Sequence, residues 1–235
     1  MKEILKRVRS ELLEASDEKA REAGQRYFKE EVKLYGIKAK QLREIAEKNF
    51  RIVKKLHKKE IFDLCEELWK SGVIEETIVA CLWTERITRQ FTAGDFEVFQ
   101  SWVFRYVNNW ASCDTLCNHT IGDFIQMYPS YLAELRLWTM SDNRWVRRAA
   151  AVTLIIPARR GKFLDDIFEI ATALLEDRDD MVQKGYGWML KALSEAHQQE
   201  VFDFVMKNKA IMPRTALRYA IEKMPPDLRL KAMAR

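Results

Sequence analysis

Trp145-Val146-Arg147-Arg148-Ala149-Ala150-Ala151 and Met181-Val182-Gln183-Lys184-Gly185-Tyr186-Gly187 read as one pattern written twice, at an offset of 36 residues (145 to 181). Val146 matches Val182, and Arg148 matches Lys184. Small Ala149 and Ala151 match Gly185 and Gly187. Asp142 precedes the first copy, and the acidic run Asp177–Asp180 precedes the second. A fainter copy lies around Glu76–Leu82. Small residues at two corresponding positions let paired helices approach closely.

The surrounding period is helical. Leu164, Ile167, Phe168, Ala171, Leu174 and Leu175 form one stripe in Phe163–Glu176, with Asp165, Asp166 and Glu169 on the other side. Ile61–Trp69 and Val201–Met206 read the same way. No Asn-Gly or Asp-Gly hairpin signal and no sustained apolar–polar alternation occurs. Breakers fall between helices: Pro129 after one helix, Pro157 after Ile155-Ile156, Pro213 at the start of the last helix, and Pro225-Pro226 at its end. A two-helix unit recurring every ~35–45 residues, with Asp before a Val-Arg pair and then small residues, is the pattern of HEAT repeats. One such pair cannot bury its apolar face alone. Stacked pairs should therefore form an all-α, HEAT-like solenoid with a concave surface. No linker or low-complexity segment interrupts the pattern, so residues 1–235 read as a single domain.

Apolar residues make up 48% of the 235 and charged residues 32%, which supports a packed core and excludes a disordered chain. Eight Gly and five Pro exclude collagen-like and Pro-rich classes. No window approaches a membrane span. Met1-Lys2-Glu3-Ile4-Leu5-Lys6-Arg7 holds no signal-peptide core. Four irregularly spaced Cys fit reduced thiols in the cytoplasm. The net charge is +5, and Met181–Arg235 alone carries ten Lys/Arg against five Asp/Glu. The whole positive excess thus equals that of the C-terminal segment, which suggests an anionic partner.

Catalytic motifs of the common kinds are absent: no Gly-rich phosphate loop, no His-Glu-x-x-His, no Gly-x-Ser-x-Gly. Cys113-x-x-x-Cys117-x-His119 lacks a second pair to complete a tetrahedral metal set, so buried thiols and no metal are expected. In Asn108-Asn109-Trp110-Ala111-Ser112-Cys113-Asp114 the Asn pair reads as a cap. Trp110 and Asp114, four apart, share one helix face, where the indole can wall a carboxylate. Gly185 and Gly187 flank Tyr186 and precede Trp188 in a helical stretch. Each Gly costs a helix roughly 1 kcal/mol relative to Ala, so two of them imply close approach to another helix or to a ligand. Equivalent positions of successive repeats line one face. Trp110, Asp114, Arg148 and Trp188 could therefore converge, while most of Trp83, Trp102, Trp138 and Trp145 read as core.

With these residues in place, the chain resembles the AlkD family of DNA alkylation repair glycosylases, which are HEAT-like repeat proteins. Arg26-Tyr27-Phe28-Lys29 through Tyr35-Gly36-Ile37 is similar to the family's N-terminal signature. Trp110-x-x-x-Asp114 is similar to its Trp/Asp catalytic pair, and Ser141–Ala150 to the segment carrying its Arg. Gln183-Lys184-Gly185-Tyr186-Gly187-Trp188 is similar to the segment carrying its second Trp. Two departures stand out. Asn109-Trp110 occupies the place of a frequent Trp-Trp pair, and Lys40-Gln41-Leu42-Arg43 that of Pro-x-Arg-Arg.

The resemblance implies an N-glycosidase that releases cationic N-alkylated purines, 3-methyladenine and 7-methylguanine, from duplex DNA held on a basic concave face. It implies Asp114, Trp110 and Trp188 as catalytic residues. Arg148, Tyr27, Lys184, Arg214 and Arg218 would be the DNA contacts. It also implies a cytoplasmic monomer with no cofactor, no metal and no membrane partner. An inactive DNA-binding homologue and a helical-repeat adaptor for proteins are the competing expectations.

Overall fold

The computed structural model describes residues 1–234. Its internal contacts divide the chain into two compact units, Met1–Leu116 and the part from Cys117 onward. The first unit holds α1 (Lys2–Glu14), α2 (Glu18–Gln25), α3 (Ala39–Val53), α4 (Lys58–Lys70), α5 (Ile74–Glu85), α6 (Phe96–Arg105) and α7 (Trp110–Thr115). A π-helical turn, Leu116–Ile121, carries the unit boundary. The second unit holds α8 (Gly122–Met127), α9 (Leu132–Trp138), α10 (Arg144–Val152), α11 (Ile155–Arg159) and α12 (Leu164–Ala173), then α13 (Asp180–Leu193), α14 (Gln198–Asn208), α15 (Arg214–Ala220) and α16 (Pro226–Met233). Among the described residues there is no strand. An isolated bridge pairs Lys33 with Val73. No helix is long and apolar enough to cross a membrane.

The repeat is read most directly from the helix caps. Lys38, Val73 and Asn109 cap α3, α5 and α7, and Asn143, Asp179 and Pro213 cap α10, α13 and α15. Successive caps are about 35 residues apart, the spacing of a helix-pair repeat. Six copies are present where the sequence pattern displays three. Within the first unit α3 packs on α5 and α5 on α7, and within the second α10 packs on α13 and α13 on α15. The matched stretches carry the same kind of cap. Asn143 Oδ1 accepts the Trp145 N–H and Asp179 Oδ1 the Met181 N–H, each at 2.9 Å, satisfying one of the helix's orphan donors. The acids that announce the second copy are the ties between copies. Asp177 accepts from Arg147 Nε at 2.6 Å, and Asp179 from Arg144 at 3.2 Å.

The apolar stripe goes inward at Ile167 and Ala171 of α12 and at Leu174 and Leu175 just past its end, and Phe168 stacks on Phe204 of α14 with centroids 5.0 Å apart. In the first unit Phe62, Phe99, Trp102 and Trp69 form an aromatic core with edge-on contacts at 5.8 Å. Each such pair is worth about 1 kcal/mol beyond the area it buries.

Two proline expectations are corrected. Pro157 lies inside α11 rather than between helices. Its third-residue position is one whose N–H has no intrahelical partner to lose. Pro213 is the cap of α15, which is not the last helix, and Pro225-Pro226 opens the last helix, α16, instead of ending it. A proline at a first helical position is already set to helical φ.

The signature stretch Tyr35-Gly36-Ile37 is a structural latch. Glu75, buried in the first turn of α5, accepts the backbone N–H groups of Tyr35 (3.0 Å), Gly36 (2.8 Å) and Ile37 (3.2 Å). Its neighbour Glu76 accepts the Tyr35 hydroxyl at 2.8 Å and Arg9 Nε at 3.0 Å. Burial and the Glu76 carboxylate push the Tyr35 phenol up to about 12. Gly36 has φ +83, and a Cβ there would lie 2.3 Å from the Asp17 carbonyl oxygen, so no other residue fits. The latch holds the irregular segment 26–37 against α5.

Candidate functional site

Asn109 begins α7. Its side chain accepts the Ser112 N–H at 3.0 Å, as the sequence predicts for a cap. Trp110 is therefore the first helical residue and Asp114 lies one turn on, both half-buried. Five of the chain's seven tryptophans are core: Trp69, Trp83, Trp102, Trp138 and Trp145 are all at most 6% exposed. The two that remain half-buried are Trp110 and Trp188. These are the two indoles singled out in the sequence.

Trp110 is held by a part of the chain that periodicity does not reveal. Its ring lies flat against Phe28, centroids 5.2 Å apart and planes 18° from parallel. Its indole Nε1–H donates to the Tyr27 carbonyl at 3.2 Å. The Tyr27 side chain itself is 76% exposed. Phe28 belongs to the quoted Arg26–Lys29 signature, but it sits in irregular backbone, where no helical spacing could link it to Trp110.

The caps also place the charged residues in register. The fifth residue after each cap is Arg43, Ile78 and Asp114 on α3, α5 and α7, and Arg148, Lys184 and Arg218 on α10, α13 and α15. Asp114 is thus a carboxylate at a repeat position that is otherwise cationic or apolar. Arg43 joins this set through the cap of α3, which carries no Asn or Asp to announce it in the sequence.

In the second unit the Arg147-Arg148 pair divides. Arg147 is structural, tied to Asp177 and to the Ser141 and Asp142 carbonyls. Arg148 is only 4% exposed and donates through Nη1 to the Met181 carbonyl. A Cβ at Gly185 would stand 3.2 Å from Arg148 Cγ, and one at Gly187 would stand 2.7 Å from Tyr219 Cβ and 2.8 Å from the Ala216 oxygen. The two helix glycines therefore serve α10 and α15, and this packing accounts for them without a ligand. Lys184 pairs with Asp180 at 3.1 Å, one turn before half-buried Trp188. Arg214 and Arg218 are exposed, and Arg214 also reaches the Met233 carbonyl at 3.4 Å.

Cys113 and Cys117 are buried while His119 is exposed, and no group of three or more His, Cys, Asp or Glu is placed to hold a metal among the described residues.

No curated protein matches the chain. A solved structure described as a "Predicted DNA alkylation repair enzyme from Enterococcus faecalis" shares the fold, with a TM-score of 0.80 over 90% of this chain and 97% of that one, at 16% identity. The sequence model of the DNA alkylation repair enzymes matches residues 8–224, across both units. The chain belongs to the DNA alkylation repair enzyme family.

Proposed function

We propose that the protein is a DNA glycosylase that hydrolyses the N-glycosidic bond of cationic N-alkylated purines, 3-methyladenine and 7-methylguanine, in duplex DNA. The observation that carries this reading is the Trp110–Asp114 pair. A half-exposed indole stands one helical turn from a half-exposed carboxylate at a register otherwise held by cations or an apolar residue.

Cleaving the bond builds positive charge on the sugar. The Asp114 carboxylate stabilises that charge and orients the attacking water. Trp110 and Trp188 pack on the deoxyribose and exclude bulk water. A purine alkylated at N3 or N7 leaves as a neutral base, so the reaction needs no general acid. His or a second carboxylate beside Asp114 is accordingly dispensable.

Arg148 holds a backbone phosphate. Its side chain is 4% exposed and set between α10 and α13 by Gly185 and the Met181 carbonyl, so the phosphate contact requires the guanidinium to turn outward. Tyr27 in the first unit and Lys184, Arg214 and Arg218 in the second are the further DNA contacts of this reading, and the lesion is captured without turning the base into a protein pocket. The whole chain acts as one repair domain, a cytoplasmic monomer without metal or cofactor. Family membership supports the DNA substrate, and the exposure of the two assigned tryptophans supports the chemistry.

The test is incubation with N-methylated duplex DNA and chromatography of the freed bases. Release of methylated purines and not of unmodified ones is expected. Duplex binding with no base release would leave the inactive homologue as the reading.

A further inference from the structure

Trp110 sits at the first position of α7, where the helix backbone does little to fix its side chain. A half-exposed indole at a helix start has several open rotamers unless something outside the helix selects one. Two atoms groups of one short segment do so here: the Phe28 ring beneath its face and the Tyr27 carbonyl on its N–H. That segment is itself braced. Phe28 N–H donates to the Gln25 carbonyl at 3.0 Å. The Gln25 side chain spans the loop, donating to the Glu30 carbonyl at 2.8 Å and accepting from Val32 N–H at 3.2 Å. Beyond it the Glu75 latch closes the loop onto α5.

We infer that Phe28 is a positioning residue for base release: it and the Tyr27 carbonyl form a mount that sets the plane of the Trp110 indole. This rests on the glycosylase reading for its consequence and on the geometry alone for the mount. Asn109 is committed to capping, and the face of Trp110 is covered from the N-terminal segment. Because the contact is ring on ring, shape matters more than apolar volume.

Three variants separate positioning from packing. Phe28→Tyr keeps the ring and should keep the excision rate. Phe28→Leu keeps much of the apolar volume but loses the flat surface, and should lower the single-turnover rate roughly tenfold with duplex affinity unchanged, as expected for a misplaced group near the reacting centre. In a Trp110→Ala background the Leu substitution should cost nothing further, since its effect passes through Trp110. Equal rates for wild type and Phe28→Leu, or the same loss in both backgrounds, would overturn the proposal.

The mount has a readout that needs no activity. The indole N–H resonance of Trp110, identified by its loss in Trp110→Phe, should shift and exchange faster in Phe28→Leu but not in Phe28→Tyr. If the wild type releases no base, the glycosylase reading fails and this resonance alone decides on the mount. An unmoved resonance sinks it.

Discussion

Gly185 provides the space that Arg148 occupies. A Cβ at position 185 would stand 3.2 Å from Arg148 Cγ and 3.5 Å from Nη1, so the missing side chain of α13 is what lets the arginine of α10 lie between the two helices. Gly185→Ala gains helix propensity of roughly 1 kcal/mol. The contact with Arg148 offsets that gain and displaces the guanidinium. The expected outcome is a urea midpoint near wild type with weaker duplex binding and a flatter dependence of affinity on salt, as for Arg148→Ala. Anisotropy titrations at several salt concentrations measure it. An unaltered salt slope in both variants separates Arg148 from phosphate contact.

Gly187 gives the opposite balance. Its Cβ would meet Tyr219 Cβ at 2.7 Å and the Ala216 carbonyl oxygen at 2.8 Å, and a backbone oxygen cannot swing aside. Gly187→Ala should lower stability by about 2 kcal/mol through overpacking of α13 on α15, read as a fall in the urea midpoint. A stabilised variant would show that the two helices are not in this contact.

These two glycines mark what is legible in the sequence and what is not. Their close approach is readable, because Gly inside a helical period demands a reason. Which body approaches is not readable, since Arg148, Ala216 and Tyr219 come from other helices. The repeat is legible where Asn143 and Asp179 cap and where small residues recur. It is hidden at Lys38, Val73 and Pro213, which cap without a side-chain acceptor. Trp110 and Asp114 are legible as a one-turn pair on α7. Phe28 is not, because irregular backbone has no period. The buried Arg148 runs against expectation for a cation, and burial depends on Gly185 one repeat away.

The cysteines should be silent. All four are buried, and burial pushes the Cys65 thiol up to about 12, only partly countered by its contact with the Thr84 hydroxyl. The thiolate is the reactive form, so a disulfide reagent near neutral pH should modify none of the four in the native protein and all of them in denaturant. Fast labelling of one native thiol would contradict the packing of α4 on α5 or of α7 and the turn after it.

His197 gives a pH dependence of defined sign. The Gly161 carbonyl, and then the Glu200 carboxylate, raise its pKa above the usual histidine value. The folded state therefore binds the proton more tightly than the unfolded chain. The resulting stabilisation is fully present below the unfolded value near 6.5, and it is lost as pH rises through the folded value above it. Because the Glu200 carboxylate is about half exposed and the His197 ring is partly open to solvent, screening keeps the effect small. Melting temperatures of wild type and His197→Gln should differ most below pH 6.5 and converge as pH rises above it. A gap that widens with pH would reverse the assignment.

On the proposed reading, the Asp114 carboxylate stabilises the positive charge that forms on the sugar as the base leaves. Asp114→Asn preserves shape and removes the charge. Incubated with duplex DNA carrying 7-methylguanine, this variant should bind the duplex as wild type does and release almost no base. Release at the wild-type rate would contradict the account.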